Sequence, residues 1–197
     1  MSTIFYFIRH ASYENPSRII PGRIPGYYLD KDGKEKAKKV AKYLKDKKIK
    51  HIYTSPLERA YETANIIADY YPDIKINHAI QLTEVDSIQW QAYKLEELFT
   101  NNYYESFLNE PNSNEIPENL NQLAQRMYQF TMKLCKKHKG EAVVCISHLH
   151  PIVVLRLFLE NKPLTMVKIY EVAPASITTL EFDENNKFVK SSLIEPI

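Results

Sequence analysis

The sequence has few glycines, few cysteines and no long apolar run. It contains four glycines, which are not arranged as a glycine-rich loop that would hold phosphate through backbone amides. Its two cysteines, Cys135 and Cys145, lack CxxC spacing, which argues against a disulfide scaffold and favours a reducing compartment. No apolar stretch approaches the roughly 20 residues that span a bilayer. The first strand begins at about residue 3 and leaves no room for a signal peptide. We therefore expect a soluble, cytoplasmic protein with no membrane partner.

The charges of the sequence are nearly balanced. Lys and Arg number 26 and Asp and Glu number 24, which gives a formal net charge of +2. This balance argues against a nucleic-acid partner but leaves room for a local basic pocket. With 44% hydrophobic residues, the 197-residue chain is long enough to bury one sizeable core. Because we see no internal repeat and no linker, we expect residues 1–197 to form a single domain.

Strand-like and helix-like patterns alternate along the chain. Apolar residues at helical spacing mark the helices, and short apolar runs mark the strands. Strands are predicted at residues 4–8, 51–55, 142–147, 176–182 and 187–194, and helices at 33–48, from 56, at 118–138 and at 151–160. Residues 73–117 are less regular and include a loop rich in Asn, Pro and Ser. This alternation predicts an α/β domain with a mostly parallel sheet.

Basic side chains follow three of these strands. Arg9 and His10 follow the first strand, Arg59 follows the second, and His148 and His150 follow a third. The carboxyl ends of parallel strands lie along one edge of a sheet, so these side chains are expected to meet in one crevice. Guanidinium and imidazole groups suit a compact oxyanion such as phosphate. One imidazole would attack phosphorus while the cations stabilise the transition state.

Each of these residues also has an ordinary structural explanation. Polar residues at the end of a strand return the chain to solvent. Arg59 is also the kind of exposed helical arginine that pairs with a neighbouring glutamate, and His148 alone fits a hydrogen-bonded histidine at a strand end. His51 and His138 have no comparable context and are interpreted as surface residues.

Four segments carry a resemblance to a known family. In chain order, "FIRHASY", "TSPLERAYETA" and "VCISHLHP" resemble the histidine phosphatase superfamily, phosphoglycerate mutase-like branch. That family has strands ending in Arg-His-Gly and Ser-His-Gly and a helix that begins with a SPLxRAxxTA pattern. The fourth segment, "LTEVDSIQW", is similar to a family segment in which a glutamate, here Glu84, precedes a tryptophan, here Trp90, by six residues. The likeness covers nearly the whole chain.

The resemblance implies a fold and a set of roles. The fold is a single three-layer α/β domain, with a mostly parallel central sheet flanked by helices and a pocket at the carboxyl ends of its strands. His10 would be the nucleophile that becomes phosphohistidine, and Arg9, Arg59 and His148 would form the phosphate pocket. Glu84, which on its own fits a solvated loop carboxylate, would be the general acid and then the base that activates water. No metal and no cofactor are expected.

The sequence departs from the family pattern at several positions. Leu149 replaces the glycine after the second histidine and is expected to reshape the pocket wall. The family often places an asparagine six residues after the nucleophile. That position is Pro16 here, so the preceding Asn15 is the candidate phosphate ligand. Ala11, Ile88 and Ala92 also stand where the family commonly has glycine.

The length of the chain bears on its activity. The mutases of this branch resemble longer chains with an extended insert after the glutamate, whereas this chain looks more like the phosphatases. We expect hydrolysis of a small phosphomonoester. The alternatives are phosphoglycerate mutase-type phosphoryl transfer, a catalytically weak phosphate-binding protein, and a metal-dependent hydrolase using His10, His148, His150 and Glu84. The last does not explain Arg9 and Arg59, which repel a divalent cation. The sequence leaves the oligomeric state open.

Overall fold

Six strands form one sheet in the order β3-β2-β4-β1-β5-β6. The strands are β1 (Thr3–Arg9), β2 (Ile49–Thr54), β3 (Ile76–His78), β4 (Ala142–Ser147), β5 (Ile177–Phe182) and β6 (Phe188–Ile194). The pairs β1–β4, β2–β4 and β2–β3 are parallel, whereas β5 runs antiparallel to β1 and β6. These coordinates are a computed structural model that describes residues 1–196. The predicted mostly parallel sheet is therefore confirmed.

Within residues 1–196, five α-helices surround the sheet. They are α1 (Lys31–Leu44), α2 (Glu58–Ala68), α3 (Asn102–Asn109), α4 (Leu120–Lys137) and α5 (Leu149–Leu159). The Asp30 side chain caps α1 by accepting a hydrogen bond from the Gly33 amide at 2.6 Å. Asn119 and Gln122 form a reciprocal capping box at the start of α4. In the described chain, no helix is both long and apolar enough to cross a membrane.

The side chains of β1 explain the three layers of the domain. Phe5 and Phe7 pack into the core shared with α4 and α5, whereas Tyr6 and Ile8 pack into the core shared with α1 and α2. Successive side chains of a strand point to opposite faces of the sheet. Because helices cover both faces of β1, its apolar run is continuous instead of alternating. The predicted three-layer α/β domain is confirmed.

The register of the central strands places the polar strand ends side by side. Arg9, the last residue of β1, lies opposite Ser147, the last residue of β4. The His10 amide donates to the Ser147 carbonyl at 3.0 Å, and the Ser55 amide donates to the Ile146 carbonyl at 3.0 Å. The chain therefore leaves three neighbouring parallel strands at the same edge of the sheet.

The structure differs from the sequence prediction in several places. Strand β3 and helix α3 lie within residues 73–117, where no regular element was predicted. Strand β3 has only three residues, too few to show a periodic pattern. Helix α1 ends at Leu44, before the predicted boundary at 48, and Lys48 adopts a left-handed backbone (φ 53°) in the connection to β2. The prediction that His138 is a surface residue is wrong, since this side chain is buried against Tyr53 beneath the end of α4.

Gly33 allows α1 to pass close to the loop that follows β1. A Cβ atom at position 33 would lie 2.0 Å from the carbonyl oxygen of Ser12. Ser12 follows His10 by two residues, and its side chain donates to the Asp30 carboxylate at 3.0 Å. The close approach of backbone to backbone leaves no flexible side chain to move aside. Any other residue at this position therefore displaces either the helix or the loop after His10.

We predict that Gly33→Ala destabilises the fold by about 1–3 kcal/mol, the usual cost of overpacking, despite the better helix propensity of alanine. The measurement is the free energy of unfolding from urea titration. Lys34→Ala, one residue along on the exposed face of α1, is the matched control and is expected to change stability by less than about 0.5 kcal/mol. Equal stability of the two variants would contradict the close approach.

Candidate active site

Arg59 is the centre of the cluster at the carboxyl edge of the sheet. It lies in the first turn of α2, and only 2% of its surface is exposed. Its Nε donates to Nε2 of His10 at 3.1 Å, and its Nη2 contacts the Gly22 carbonyl at 2.9 Å and Nδ1 of His148 at 3.2 Å. The helix start after β2 thus joins the residues that follow β1 and β4.

These contacts fix the tautomers of both histidines. A guanidinium group has no acceptor, so the histidine nitrogens that face Arg59 carry lone pairs. The hydrogen of His10 therefore lies on Nδ1, which donates to the Ala11 carbonyl at 2.9 Å. The hydrogen of His148 lies on Nε2, which donates to Oγ of Ser55 at 2.8 Å. The lone pair of His10 is thus on Nε2, where it accepts the hydrogen bond from Arg59.

The electrostatic environment keeps both imidazoles neutral. Burial, followed by the charge of Arg59, holds the pKa of His10 and of His148 well below the ordinary value of histidine. Their ring centroids are 5.0 Å apart, so protonation of one ring would also repel protonation of the other. A neutral imidazole is the form that can act as a nucleophile.

Arg9 and Arg59 bring positive charge to the cavity, and no salt bridge within residues 1–196 pairs it directly. Burial lowers the pKa of both guanidinium groups, which nevertheless stay charged at neutral pH. Arg9 donates from Nη1 to the Val172 carbonyl at 2.7 Å. Within residues 1–196, Nε of Arg9 and Nη1 of Arg59 are buried without a hydrogen-bond partner, and neither arginine has a carboxylate oxygen within 4.0 Å. The site is therefore complementary to an anion.

Glu84 lies on the other side of this positive charge. Its Oε1 accepts from the Val85 amide at 2.9 Å and lies 3.3 Å from Nδ1 of His150. The ring of His150 packs edge-on against Phe107, with centroids 5.2 Å apart. Burial raises the pKa of Glu84, but His150 and the Val85 amide lower it, and the net pKa is below the ordinary value. In the ligand-free site Glu84 is therefore a carboxylate.

The backbone that carries Glu84 is held by an ion pair between Arg126 of α4 and Glu118, which precedes that helix. Arg126 donates to both oxygens of the Glu118 carboxylate, at 2.6 and 2.9 Å. The same arginine donates through Nη1 to the carbonyls of Gln81 and Thr83, at 2.5 and 3.1 Å. A two-pronged arginine of this kind fixes geometry as well as charge. The pair thereby positions the segment that ends in Glu84, although sequence analysis gave Glu118 and Arg126 no role.

Arg23 reinforces this arrangement from the first loop. Its Nε donates to the Glu84 carbonyl at 2.9 Å, and its Nη2 contacts the Glu118 carboxylate at 3.1 Å. The Asp86 amide donates to the same Glu118 oxygen at 3.0 Å. The guanidinium group of Arg23 therefore pairs with other groups of the protein and does not point into the cavity.

The cluster opens into a cavity of about 170 Å³. Its titratable lining consists of Arg9, His10, Tyr13, Arg59, Glu84, Tyr104 and His150. The loop after β1 and the segment after β3 supply most of the apolar wall, and they are joined by backbone hydrogen bonds from Ile20 to Tyr93 and from Ala92 to Ile20, at 2.8 and 2.7 Å. Ala92 has a left-handed backbone (φ 69°), a conformation suited to the glycine that the family commonly places there.

The structure brings together most, but not all, of the residues selected from the sequence. Arg9, His10, Arg59 and Glu84 line the cavity, as does Leu149, the first residue of α5. His148 is fully buried behind Arg59 and His10 and is not part of the cavity lining in the described residues.

Asn15 is not brought to the cavity. Its side-chain Nδ2 donates to the Ile19 carbonyl at 2.8 Å, and its Oδ1 accepts from the Ile19 amide at 3.2 Å. These two bonds close the tight turn in which Arg18 adopts a left-handed backbone. Because both polar ends of its side chain are already paired, Asn15 stabilises the conformation of the loop. Its candidacy as a phosphate ligand is without geometric support among the described residues.

The sequence matches the family described as the histidine phosphatase superfamily (branch 1) over residues 5–194. The chain belongs to this superfamily. An uncharacterized protein of Mycobacterium tuberculosis is 30% identical over 197 residues, covering 92% of this chain and 91% of that protein. Phosphoserine phosphatase 1 of Hydrogenobacter thermophilus is 29% identical over 192 residues, covering 92% of this chain and 88% of the relative.

Solved structures of this superfamily also resemble the chain. A phosphoserine phosphatase mutant from Entamoeba histolytica in complex with phosphoserine superposes with a TM-score of 0.83 at 26% identity, over 98% of this chain and 96% of that one. The enzyme from the same organism in complex with 3-phosphoglyceric acid gives a TM-score of 0.84 at 27% identity, over 97% and 96% of the two chains. The histidine phosphatase fold therefore extends over nearly the whole chain.

We predict that the protein binds orthophosphate and vanadate in the cavity, and that Arg59→Met weakens this binding by about 10- to 100-fold. The reason is that each hydrogen bond to a charged group contributes about 1.5–3 kcal/mol. Isothermal calorimetry measures the affinity, and circular dichroism checks the fold of the variant. Arg18→Met, which removes an exposed arginine outside the cavity, is the control and should leave the affinity unchanged. Unchanged affinity in Arg59→Met would place the anion elsewhere.

Proposed function

We propose that the protein hydrolyses small phosphomonoesters through a phosphohistidine formed on Nε2 of His10. The superfamily and its phosphoserine phosphatase relatives support a phosphatase of small phosphoesters. The observation that carries the phosphohistidine proposal is the lone pair of a neutral His10 beside the guanidinium groups of Arg9 and Arg59, each of which has one buried nitrogen without a hydrogen-bond partner in residues 1–196. A nucleophile and the means to stabilise an anionic transition state thus occupy one small cavity.

In the first step the substrate phosphate binds between Arg9 and Arg59. Its oxygens accept hydrogen bonds from Nε of Arg9 and Nη1 of Arg59, which lack partners in residues 1–196. As Nε of Arg59 transfers its hydrogen bond from His10 to a phosphate oxygen, Nε2 of His10 attacks phosphorus, and the bond between phosphorus and the ester oxygen breaks. Glu84 donates its proton to the departing oxygen, so the alcohol leaves in neutral form. His148 keeps Arg59 in place by accepting one of its hydrogen bonds.

In the second step water replaces the alcohol. The Glu84 carboxylate removes a proton from the water molecule as its oxygen attacks phosphorus. The bond between phosphorus and Nε2 of His10 breaks, which releases orthophosphate and restores the neutral imidazole. Glu84 ends the cycle protonated and returns that proton to the phosphate or to solvent. The two arginines supply the charge stabilisation, so this route needs no metal ion and no cofactor.

The proton on Glu84 comes from the substrate. The free site holds Glu84 as a carboxylate because its net pKa is lowered by His150 and by the Val85 amide against the opposing effect of burial. A phosphate dianion placed nearby repels that carboxylate and raises its pKa. A phosphomonoester monoanion carries the one proton that the step requires, since its second pKa is about 6. A substrate monoanion with the Glu84 carboxylate holds the same number of protons as a substrate dianion with the protonated Glu84. The proton therefore passes from substrate to Glu84 without uptake from solvent.

The cavity favours a compact substrate. Its volume of about 170 Å³ is below the roughly 300–1,000 Å³ typical of pockets for drug-sized ligands. Beyond the phosphate, the wall is formed largely by apolar side chains, among them Ile20, Trp90, Leu98 and Leu149. Phosphoserine, the ligand named for the Entamoeba histolytica enzyme, is of suitable size and is the first compound to test. 3-Phosphoglycerate should be tested beside it, because isomerisation without phosphate release would favour the mutase alternative.

We predict that His10→Ala reduces phosphate release by at least about three orders of magnitude, since removal of one member of a catalytic unit abolishes most of its effect. Turnover is measured with phosphoserine and with 4-nitrophenyl phosphate, with and without EDTA. His78→Ala, at an exposed histidine, is the matched control and should retain full activity. Residual activity above about a tenth of wild type would exclude the covalent route, and loss of wild-type activity in EDTA would favour a metal-dependent hydrolase.

We predict that Glu84→Gln slows phosphoryl transfer from an alkyl phosphate by about 10²- to 10⁴-fold but slows transfer from 4-nitrophenyl phosphate much less, because nitrophenolate departs without a proton. Single-turnover kinetics isolate this step from the hydrolysis of phosphohistidine. Glu96→Gln, at an exposed carboxylate, is the isosteric control. Equal loss on both substrates would remove Glu84 from the acid role and direct attention to Asp86, which is 39% exposed and pairs with Arg23.

A further inference from the structure

A second cluster of chemically active side chains lies at the opposite edge of the sheet. It consists of His51, near the start of β2, His138, directly after α4, and Glu141, directly before β4. One potential ligand atom from each residue lies within 4.8 Å of the other two. The amino ends of β2 and β4 meet here, whereas the catalytic residues follow the carboxyl ends of the same strands. The cluster is therefore separate from the proposed reaction.

The distances within this histidine–glutamate cluster suit a small cation. Nε2 of His51 lies 2.7 Å from Oε2 of Glu141, and Nδ1 of His138 lies 3.5 Å from the same oxygen. The two imidazole rings face each other with centroids 3.6 Å apart. Zinc bonds imidazole nitrogen and carboxylate oxygen at about 2.0–2.2 Å in tetrahedral sites, which places neighbouring ligand atoms about 3.4 Å apart. Small side-chain adjustments would bring all three atoms to that separation.

The surroundings of His138 resemble the outer shell of a metal site. This residue is only 4% exposed, and its Nε2 lies 2.8 Å from Oη of the buried Tyr53. A tyrosine oxygen accepts two hydrogen bonds, so it can take one from Nε2 of His138 and one from Lys137, whose Nζ lies at 3.2 Å. Nδ1 of His138 is then left with its lone pair towards His51 and Glu141. Such a partner on the second ring nitrogen is the usual way in which a ligating histidine is oriented.

The backbone also holds two of the three residues in place. The His138 amide donates to the Leu134 carbonyl at 2.8 Å, and the Glu141 amide donates to the His138 carbonyl at 3.0 Å. His138 and Glu141 are therefore presented by one short turn between α4 and β4, while His51 comes from the neighbouring strand. A shared ligand would link segments that are about 90 residues apart in sequence.

We propose that His51, His138 and Glu141 form a zinc-binding site, with water as the fourth ligand. The imidazole and carboxylate donors are of the type that zinc prefers. Zinc would take the place of the hydrogen that lies between Nε2 of His51 and Glu141 in their 2.7 Å hydrogen bond. That hydrogen would move through solvent to Nδ1 of His51, so the ring stays neutral and Nε2 offers its lone pair to the metal. The bound ion would fasten the start of β2 to the turn before β4. Without zinc, His51 and Glu141 would be joined only by their hydrogen bond.

The test is a zinc titration of the full chain, by competition with a chromophoric chelator. We expect the wild-type protein to bind one equivalent of zinc. His51→Asn and Glu141→Gln should each weaken zinc binding by at least 10- to 100-fold. Loss of an outer-shell partner alone costs this much affinity, so it is about the lower limit for loss of a ligand. His78→Asn, which removes an exposed histidine elsewhere, should bind zinc like the wild type.

Two further measurements make the result decisive. Because His51 and Glu141 have side chains that are 29% and 42% exposed, their variants should fold, and thermal melting in EDTA checks this. Added zinc should raise the melting temperature of the wild type but not that of the two variants. Absence of stoichiometric binding by the wild type, or equal affinity in His51→Asn and Glu141→Gln, would overturn the proposal. Loss of binding in His10→Ala would also overturn it, by placing zinc in the catalytic cavity.

Discussion

The candidate active site depends on the burial of one guanidinium group. Arg59 is almost fully enclosed, and its contacts are the neutral acceptors His10, His148 and the Gly22 carbonyl. Burial of a charge is costly unless other groups compensate it, so the neighbours of Arg59 must offer lone pairs. This requirement selects the tautomer of each histidine and opposes protonation of both. The buried charge of Arg59 therefore determines the protonation of His10 and His148, and it attracts an anion to the cavity.

The sequence predicted the central part of the fold because the responsible pattern is local. Strands β1 and β4 are covered by helices on both faces, and this environment produces the continuous apolar runs that identify them. Because parallel strands end at one edge of a sheet, the sequence predicted that Arg9, His10 and Arg59 lie close together. The structure places these side chains together. The resemblance to a family was needed for Glu84, since a loop carboxylate has no periodic signal of its own.

The remaining features were not predictable because they depend on contacts between distant segments. Arg126 and Glu118 are ordinary helical residues in the sequence, and only the folded chain shows that Arg126 reaches the Gln81 and Thr83 carbonyls, 45 and 43 residues away. His138 was misassigned for a related reason. It follows a lysine-rich helix end that is typical of a solvated surface, yet Tyr53 from the neighbouring strand covers it. Asn15 has the right residue type, but its hydrogen bonds are used within its own turn.

The cavity lining comes from two kinds of segment, core elements and a long connection. This division affects how substrate preference can change during evolution. The reacting groups Arg9, His10 and Arg59 belong to strand ends and a helix start, whose positions are set by the packed sheet. Much of the apolar wall comes instead from the long connection between β3 and α4, which contributes Trp90 and Leu98. Connections of this kind accept substitution and insertion more readily than core elements. A lineage could therefore exchange one substrate for another by altering the part of that connection beyond Glu84, while Glu84, the strand ends and the helix start keep the reacting groups.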